Sequence, residues 1–159
     1  MGFYPASTAD FPSSAYATHD MRNRQRVLDY DDGTGTATET AYFSGFLQDY
    51  GGGGLTVVVY WSAPTATSGA VVWKGSFERG NTDMDSDSFD TGNEQTTTTT
   101  TSGTAGIRVT STISFSNSQI DGITGTNQIF RFQLQRDTGA AGDTLTGDAE
   151  VYGVAIYES

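Results

Sequence analysis

Alternation of apolar and polar side chains in short segments is the feature that most constrains the fold of this chain. The clearest segments are Leu55 to Ser62, Ile107 to Phe115 and Ile129 to Arg136. A period of two is that of a β-strand with one buried and one solvated face, and Gly, Ser, Thr and Asp separate the segments. Almost nothing in the chain has the period of a helix. The pattern therefore predicts an all-β protein.

We predict about eight strands in an antiparallel, jelly-roll-like β-sandwich, with an immunoglobulin-like sandwich as the alternative. The remaining strands are expected at Arg26 to Tyr30, Glu39 to Gln48, Ala70 to Arg79, Gln95 to Thr101 and Ala149 to Glu158. Trp61 and Trp73, on expected neighbouring strands, are predicted core residues. The threonine run Thr96 to Thr101 has no apolar alternation, which favours an edge strand.

The N-terminal segment lacks this alternation. It holds two of the three prolines and four aromatic residues, Phe3, Tyr4, Phe11 and Tyr16. We predict an extended N-terminal arm over residues 1–26 and a sandwich domain over residues 27–159. Two interpretations of the arm stay open: it folds back over its own sandwich, or it reaches a neighbouring subunit or another protein.

Three arginines, Arg22, Arg24 and Arg26, follow at a spacing of two. An extended backbone would place all three guanidinium groups on one side. They either pair within the chain, with the acidic cluster Asp29, Asp31 and Asp32, or dock on an acidic partner surface, since the guanidinium fork matches carboxylates.

Charge and composition exclude several classes of function. The formal net charge of -11 disfavours nucleic acid as a partner, because phosphate backbones are also negative. No stretch approaches the roughly 20 apolar residues of a membrane span, and the first residues do not resemble a signal peptide. His19, the only histidine, lies in the N-terminal segment predicted as an arm, so the sandwich can assemble neither a Ser-His-Asp triad nor a histidine metal site. Cysteine is absent, which excludes a thiolate site. We predict a protein that is not an enzyme and is made in the cytoplasm.

An acidic segment carries Asp83, Asp85 and Asp87, with Glu94 further along the chain. Oxygen ligands at alternate positions, closed by a later carboxylate, are typical of calcium loops. The match is partial, because Ser88 stands where a helix-loop-helix calcium site has glycine and no flanking helices are predicted. The segment is therefore either a solvated loop or a Ca²⁺ site, and no other cofactor is expected.

Several runs resemble structural proteins encoded by tailed bacteriophages. They include Ser68 to Trp73, Phe77 to Arg79, Asn81 to Phe89 and Asp143 to Ala149. The resemblance implies a β-sandwich virion protein of the capsid decoration (cement), head-fibre or tail-fibre type. The N-terminal arm lies outside it.

The main functional prediction is a decoration protein on the outer surface of a phage capsid. It would bind the major capsid protein at three-fold junctions as a homotrimer, through Phe3, Tyr4, Phe11, Tyr16 and the three arginines. The trimer is expected from the resemblance and from capsid symmetry. The alternative is a fibre-borne receptor-binding or carbohydrate-binding module that recognises a glycan through loop aromatics such as Tyr50 or Phe89.

Overall fold

The computed structural model describes residues 2–33, 38–80, 88–125 and 128–159. In these ranges the chain forms ten strands and three short 3-10 turns. The strands are β1 (Gly2–Pro5), β2 (Thr18–Arg22), β3 (Gln25–Tyr30), β4 (Thr40–Leu47), β5 (Leu55–Ser62), β6 (Ala70–Arg79), β7 (Gln95–Thr100), β8 (Val109–Phe115), β9 (Gln128–Arg136) and β10 (Ala149–Glu158). The 3-10 turns span Ala6–Thr8, Thr91–Asn93 and Asn117–Gln119. None of the helices in the described ranges is long and apolar enough to cross a membrane.

The strands form two antiparallel sheets, which confirms the predicted all-β, jelly-roll-like sandwich. The six-stranded sheet has the order β2-β3-β10-β5-β8, and β1 joins it by pairing with β10. The four-stranded sheet has the order β4-β9-β6-β7. β3 and β5 lie in the six-stranded sheet, and β4 and β6 lie in the four-stranded sheet. The three connections between these consecutive strands therefore cross from one layer to the other.

The core lies between the sheets and is rich in aromatic side chains. Trp61 of β5 and Trp73 of β6 are fully buried, with ring centroids 5.9 Å apart. The two strands are consecutive in the chain but lie in opposite sheets, so the tryptophans meet across the core and are not on neighbouring strands as predicted. The indole N–H of Trp61 donates to the hydroxyl of Ser111 at 2.8 Å, which satisfies its polar group inside the core.

The N-terminal residues are not an extended arm in this structure. β1 pairs with β10, from Gly2 opposite Ile156 to Pro5 opposite Gly153, and β2 pairs with β3. Both strands therefore belong to the six-stranded sheet. The physical reason is that β3 pairs with only the first three residues along one edge of β10. β1 pairs with the later residues along that same edge, from Gly153 to Ile156, and so supplies hydrogen-bond partners for their backbone groups. Of the two interpretations of the arm, folding back is the one observed.

The threonine run forms β7 at the edge of the four-stranded sheet, as predicted. β5 and β10 occupy interior positions of the six-stranded sheet. β8 begins at Val109, two residues later than expected, and this difference leaves Ile107 and Arg108 outside the strand.

Candidate functional site

A groove with three aromatic side chains lies on the outer face of the six-stranded sheet. We call it the aromatic groove. Its volume is about 460 Å³. It is lined by Phe3, Gln25, Tyr60, Ile107, Arg108 and Tyr152. Within the described residues this set includes no carboxylate and no imidazole.

The period of the strands places two tyrosines in the groove. Trp61 points into the core, so its neighbour Tyr60 points outward from β5. Tyr152 points outward from β10 in the same way, between buried Val151 and Gly153. The hydroxyl of Tyr152 lies 3.1 Å from the hydroxyl of Ser62, which ties β10 to β5 at the groove.

Phe3 reaches the groove because β1 lies very close to β10. The register of β10 against β5 shifts between Val151 and Gly153, which marks a bulge. A Cβ at Gly153 would lie 2.5 Å from the carbonyl oxygen of Tyr4 and 2.7 Å from the Phe3 ring. Glycine is therefore required there for β1 to dock. The docked Phe3 ring packs edge-on against Tyr60, with centroids 5.8 Å apart, and the side chain stays 54% exposed.

The opposite wall comes from the segment before β8. The backbone N–H of Gly106 donates to the carbonyl of Ala63 at 2.7 Å, which holds this segment against the end of β5. Ile107 is 52% exposed, and the guanidinium of Arg108 lies 5.4 Å from the centroid of the Tyr60 ring. That distance is within the range of a cation–π contact. Tyr60 is thus held between Phe3 and Arg108.

A second aromatic cluster lies on the outer face of the four-stranded sheet. Tyr42 and Phe89 are stacked, with centroids 5.0 Å apart and an interplanar angle of 24°. The guanidinium of Arg131 lies 5.8 Å from the Tyr42 centroid and 5.1 Å from the Phe89 centroid. Arg131 also forms an ion pair with the buried carboxylate of Glu78, so its charge is already neutralised.

The two loop aromatics predicted for glycan contact differ in accessibility. Phe89 is partly exposed in the second cluster. Tyr50 is only 3% exposed, and its hydroxyl accepts from the N–H of Gly54 at 3.2 Å. Tyr50 is therefore a structural residue and cannot contact a ligand as predicted.

The four N-terminal aromatic residues do not form one surface. Phe3 lines the aromatic groove, whereas Tyr4 packs against the buried ring of Phe130 with centroids 5.6 Å apart. Phe11 contacts both Tyr16 and His19, at centroid distances of 5.9 Å and 5.1 Å. Tyr16 remains 45% exposed. The predicted joint contact surface is therefore divided among different parts of the domain.

The three arginines do not share one side either. Arg22 ends β2, and its guanidinium binds the buried carboxylate of Glu150, with an Nη2–Oε1 distance of 2.6 Å. Asn23 and Arg24 have φ of 47° and 66° and form the turn, after which Arg26 lies in β3. The turn reverses the chain, so the extended geometry assumed for the stripe does not occur. The acid that Arg22 binds belongs to none of the residues predicted for it.

Of the four predicted calcium ligands, Glu94 alone lies within the described residues. Asp83, Asp85 and Asp87 lie outside the described residues. Glu94 lies 3.5 Å from the ammonium group of Lys74, across the β6–β7 edge. The calcium prediction for this loop stays a prediction.

A different acidic cluster brings together Asp29, Asp31 and Asp148, with one carboxylate oxygen of each within 4.8 Å of the others. Burial and the nearby carboxylates, Asp148 first among them, raise the pKa of Asp29 to about 7. Burial and the carboxylate of Asp31 also raise the pKa of Asp148. Carboxylates in such a group could ligate a hard cation such as calcium. From the sequence, Asp29 and Asp31 are expected only as partners for arginine, because Asp148 is remote in the chain.

Most of the groove residues were missed by sequence reasoning. Neither Tyr60 nor Tyr152 was singled out from the sequence, where an outward tyrosine on each of two central strands was the available signal. Nothing in the sequence indicated that these strands are neighbours with Arg108 beside them. Phe3 was singled out, but for contact with another subunit.

The comparisons with known proteins bear on the fold. No protein-family model and no curated protein matches the chain. Among solved structures, it is similar to the CBM22-2 xylan-binding domain from Paenibacillus barcinonensis Xyn10C, with a TM-score of 0.52 and 14% identity over 100% of this chain and 99% of that one. It is also similar to a family 6 carbohydrate-binding module from Clostridium cellulolyticum in complex with xylose, with a TM-score of 0.52 and 10% identity over 98% and 96% of the two chains.

A third similar structure contains the CBM22-1 and GH10 modules of Clostridium thermocellum endo-1,4-β-D-xylanase 10B, complexed with xylohexaose. The TM-score is 0.55 and the identity 13%, and the match covers 100% of this chain but spans only 28% of the xylanase chain. At these identities the likeness establishes a shared β-sandwich fold.

Proposed function

We propose that this protein is a glycan-binding module, and that the aromatic groove is its binding site. The observation that carries the proposal is the convergence of Phe3, Tyr60 and Tyr152 with Arg108 and Gln25 on one open face of the sandwich. This proposal follows the alternative prediction from the sequence, with a different set of contact residues.

The chemistry of the groove suits a sugar. A pyranose ring has apolar C–H faces that pack on aromatic rings, while its hydroxyl groups need hydrogen-bond donors and acceptors. Aromatic rings here supply the apolar surface, and the side chains of Arg108 and Gln25 supply donors at the rim. The volume of about 460 Å³ lies in the range of small-ligand sites.

The similar solved structures support this proposal, since they include a xylan-binding domain, a complex with xylose and a complex with xylohexaose. A shared β-sandwich fold does not by itself show that two proteins bind the same ligand, because proteins with unrelated functions share folds. The groove residues of this chain therefore carry the argument. We propose binding without catalysis, in agreement with the prediction that the protein is not an enzyme.

The virion role, the capsid surface, the major capsid protein as partner and the homotrimer stay predictions from the sequence resemblance. A glycan-binding sandwich agrees with the fibre-type interpretation of that resemblance. The predicted capsid contacts Tyr4 and Arg22 are engaged within the domain, against Phe130 and Glu150. The described residues therefore favour glycan binding over capsid decoration.

The proposal is tested with Tyr60→Ala and the matched variant Tyr16→Ala. Tyr16 is a partly exposed tyrosine that neighbours β4 at the other sheet, through a bridge to Thr40. Wild-type protein and both variants are run by affinity electrophoresis through gels containing a panel of soluble neutral and acidic polysaccharides. We expect Tyr60→Ala to bind about five- to thirtyfold more weakly, since one aromatic ring contributes roughly 1–2 kcal/mol.

The control variant Tyr16→Ala should bind as the wild type does. Circular dichroism spectra and melting temperatures would show that both variants are folded. Wild-type protein that is not retarded by any polysaccharide would refute the proposal. Equal losses in the two variants would move the site away from the aromatic groove.

A further inference from the structure

The aromatic groove carries positive charge on a strongly negative protein. The chain has 19 acidic residues and 8 basic ones, yet no acidic residue lines the groove. Arg108 is exposed at its wall, beside Tyr60. The local charge is therefore opposite to that of the whole molecule.

Arg108 differs from most of the other cations in having no acidic partner within the described residues. The side chains of Arg22, Lys74, Arg131 and Arg136 each form an ion pair with a carboxylate. The contact that holds Arg108 is the face of Tyr60, which orients the guanidinium and leaves its N–H groups available. An oriented cation without a counter-charge is what an anionic ligand group requires.

The carboxylate nearest in sequence to the groove tyrosine Tyr152 is already neutralised. Glu150 precedes Tyr152 by two residues on the same face of β10 and is 2% exposed. The guanidinium of Arg22 binds both of its carboxylate oxygens. Glu150 therefore does not cancel the charge of Arg108 for an incoming ligand.

We propose that the groove selects an acidic glycan, with the carboxylate of a uronic acid bound by the guanidinium of Arg108 and the sugar ring packed against the aromatic side chains of the groove. This inference rests on the proposed glycan-binding function and narrows it to a ligand class. The planar guanidinium fork can donate two parallel hydrogen bonds to one carboxylate, which gives it geometric preference over a hydroxyl group.

The test compares each uronate oligosaccharide with its carboxyl-reduced, neutral counterpart. The probes are oligogalacturonate, oligomannuronate and glucuronoxylan oligosaccharides, titrated by isothermal calorimetry into wild type, Arg108→Gln, Arg108→Lys and Lys74→Gln. Lys74→Gln is the matched control, because it removes the same charge from the other sheet. We expect wild type to prefer at least one uronate over its reduced form by about tenfold or more, as for one charge-assisted contact.

Arg108→Gln should abolish this preference, Arg108→Lys should retain only part of it, and Lys74→Gln should leave it unchanged. The preference of the wild type for uronates should also decrease between 20 and 500 mM salt, because salt screens the charge of Arg108.

Binding of neutral glycans without any preference for uronates would overturn the inference and leave the proposed function intact. No binding to any probe would refute both. A preference that survives in Arg108→Gln would also overturn it, as would stronger binding of a sulfated glycan that lacks uronic acids than of every uronate.

Discussion

Arg136 shows at the scale of one residue what strand alternation can and cannot predict. Its position in β9 is in phase with the core-facing residues, and the side chain is fully buried. All of its N–H groups find acceptors, in the carboxylate of Asp143 and in the backbone carbonyls of Tyr30, Leu145 and Gly147. A guanidinium can be buried only when it is satisfied in this way. Its partners come from the segment before β10 and from β3, which no local pattern identifies.

Asp29 leads to a prediction about pH. One of its carboxylate oxygens is buried without a hydrogen-bond partner, and burial together with Asp148, Glu150, Asp31 and Asp20 raises its pKa to about 7. The folded state thus holds the proton over a range in which the unfolded chain, with a pKa near 3.8, has released it. The contribution of Asp29 to the free energy of unfolding is therefore greatest below about pH 4. It decreases as the pH rises from 4 to 7 and does not change further above pH 7.

We therefore expect Asp29→Asn to melt at a higher temperature than the wild type at pH 8, with the difference shrinking or reversing at pH 4. The measurement is a melting curve at each pH in the presence of a chelator, so that no cation masks the titration of the cluster. Asp49→Asn, at an exposed loop position, is the control for removal of one negative charge. A constant difference between Asp29→Asn and the wild type across pH would contradict the raised pKa.

At the scale of elements, the hairpin of β2 and β3 explains why an arm was predicted. β2 is mostly exposed and polar, so it shows no apolar alternation, whereas three of the six residues of β3 are buried and this strand was predicted. The two-residue turn of the hairpin is Asn23-Arg24, whereas the usual signal for such a turn is Asn-Gly. With neither signal present, the hairpin could not be recognised from the sequence.

The turn gives a prediction about stability. Arg24 has a φ of 66°, a conformation that costs a residue with a side chain roughly 1–2 kcal/mol. Arg24→Gly removes this strain and is expected to raise the free energy of unfolding by about 1 kcal/mol, because the greater freedom of glycine in the unfolded chain offsets part of the gain. Urea denaturation measures the change. Arg24→Ala loses the same charge while keeping the strain, so equal effects of the two substitutions would contradict the explanation.

At the scale of the whole molecule, the N-terminal segment is part of the sandwich. Ala6 and Ala17 are fully buried in the core and Ala9 nearly so, while Phe3 and Tyr16 stay 54% and 45% exposed. From the sequence, the aromatic residues of this segment are the expected contact residues. The alanines pack in the core because they fit close to the backbone of other strands, and this role is not visible in a composition or a period.

Deleting residues 1–22 distinguishes an integral segment from an arm. An arm would leave the sandwich folded, which was the expectation from the sequence. The structure instead predicts a melting temperature lower by about 10 °C or more, or failure to fold, because β1, β2 and three core alanines are lost. Thermal denaturation followed by circular dichroism measures it. Phe3→Ala is the control, since it removes an exposed ring and keeps the backbone of β1. An unchanged melting temperature after the deletion would contradict this prediction and support an N-terminal arm outside the folded sandwich.

The strand segments from Gln25 onward, the all-β class and the core positions of Trp61 and Trp73 follow from the sequence by itself. These properties depend on the alternation of apolar and polar residues within each segment and on the turn residues between segments. Both signals lie in residues that are close together in the sequence. The aromatic groove depends on which strands become neighbours: it requires β1 beside β10, β10 beside β5, and the segment before β8 folded over Tyr60. Only the tertiary structure decides this, because pairing between strands far apart in the chain is set by packing of the whole core and leaves no periodic signal in the residues that meet.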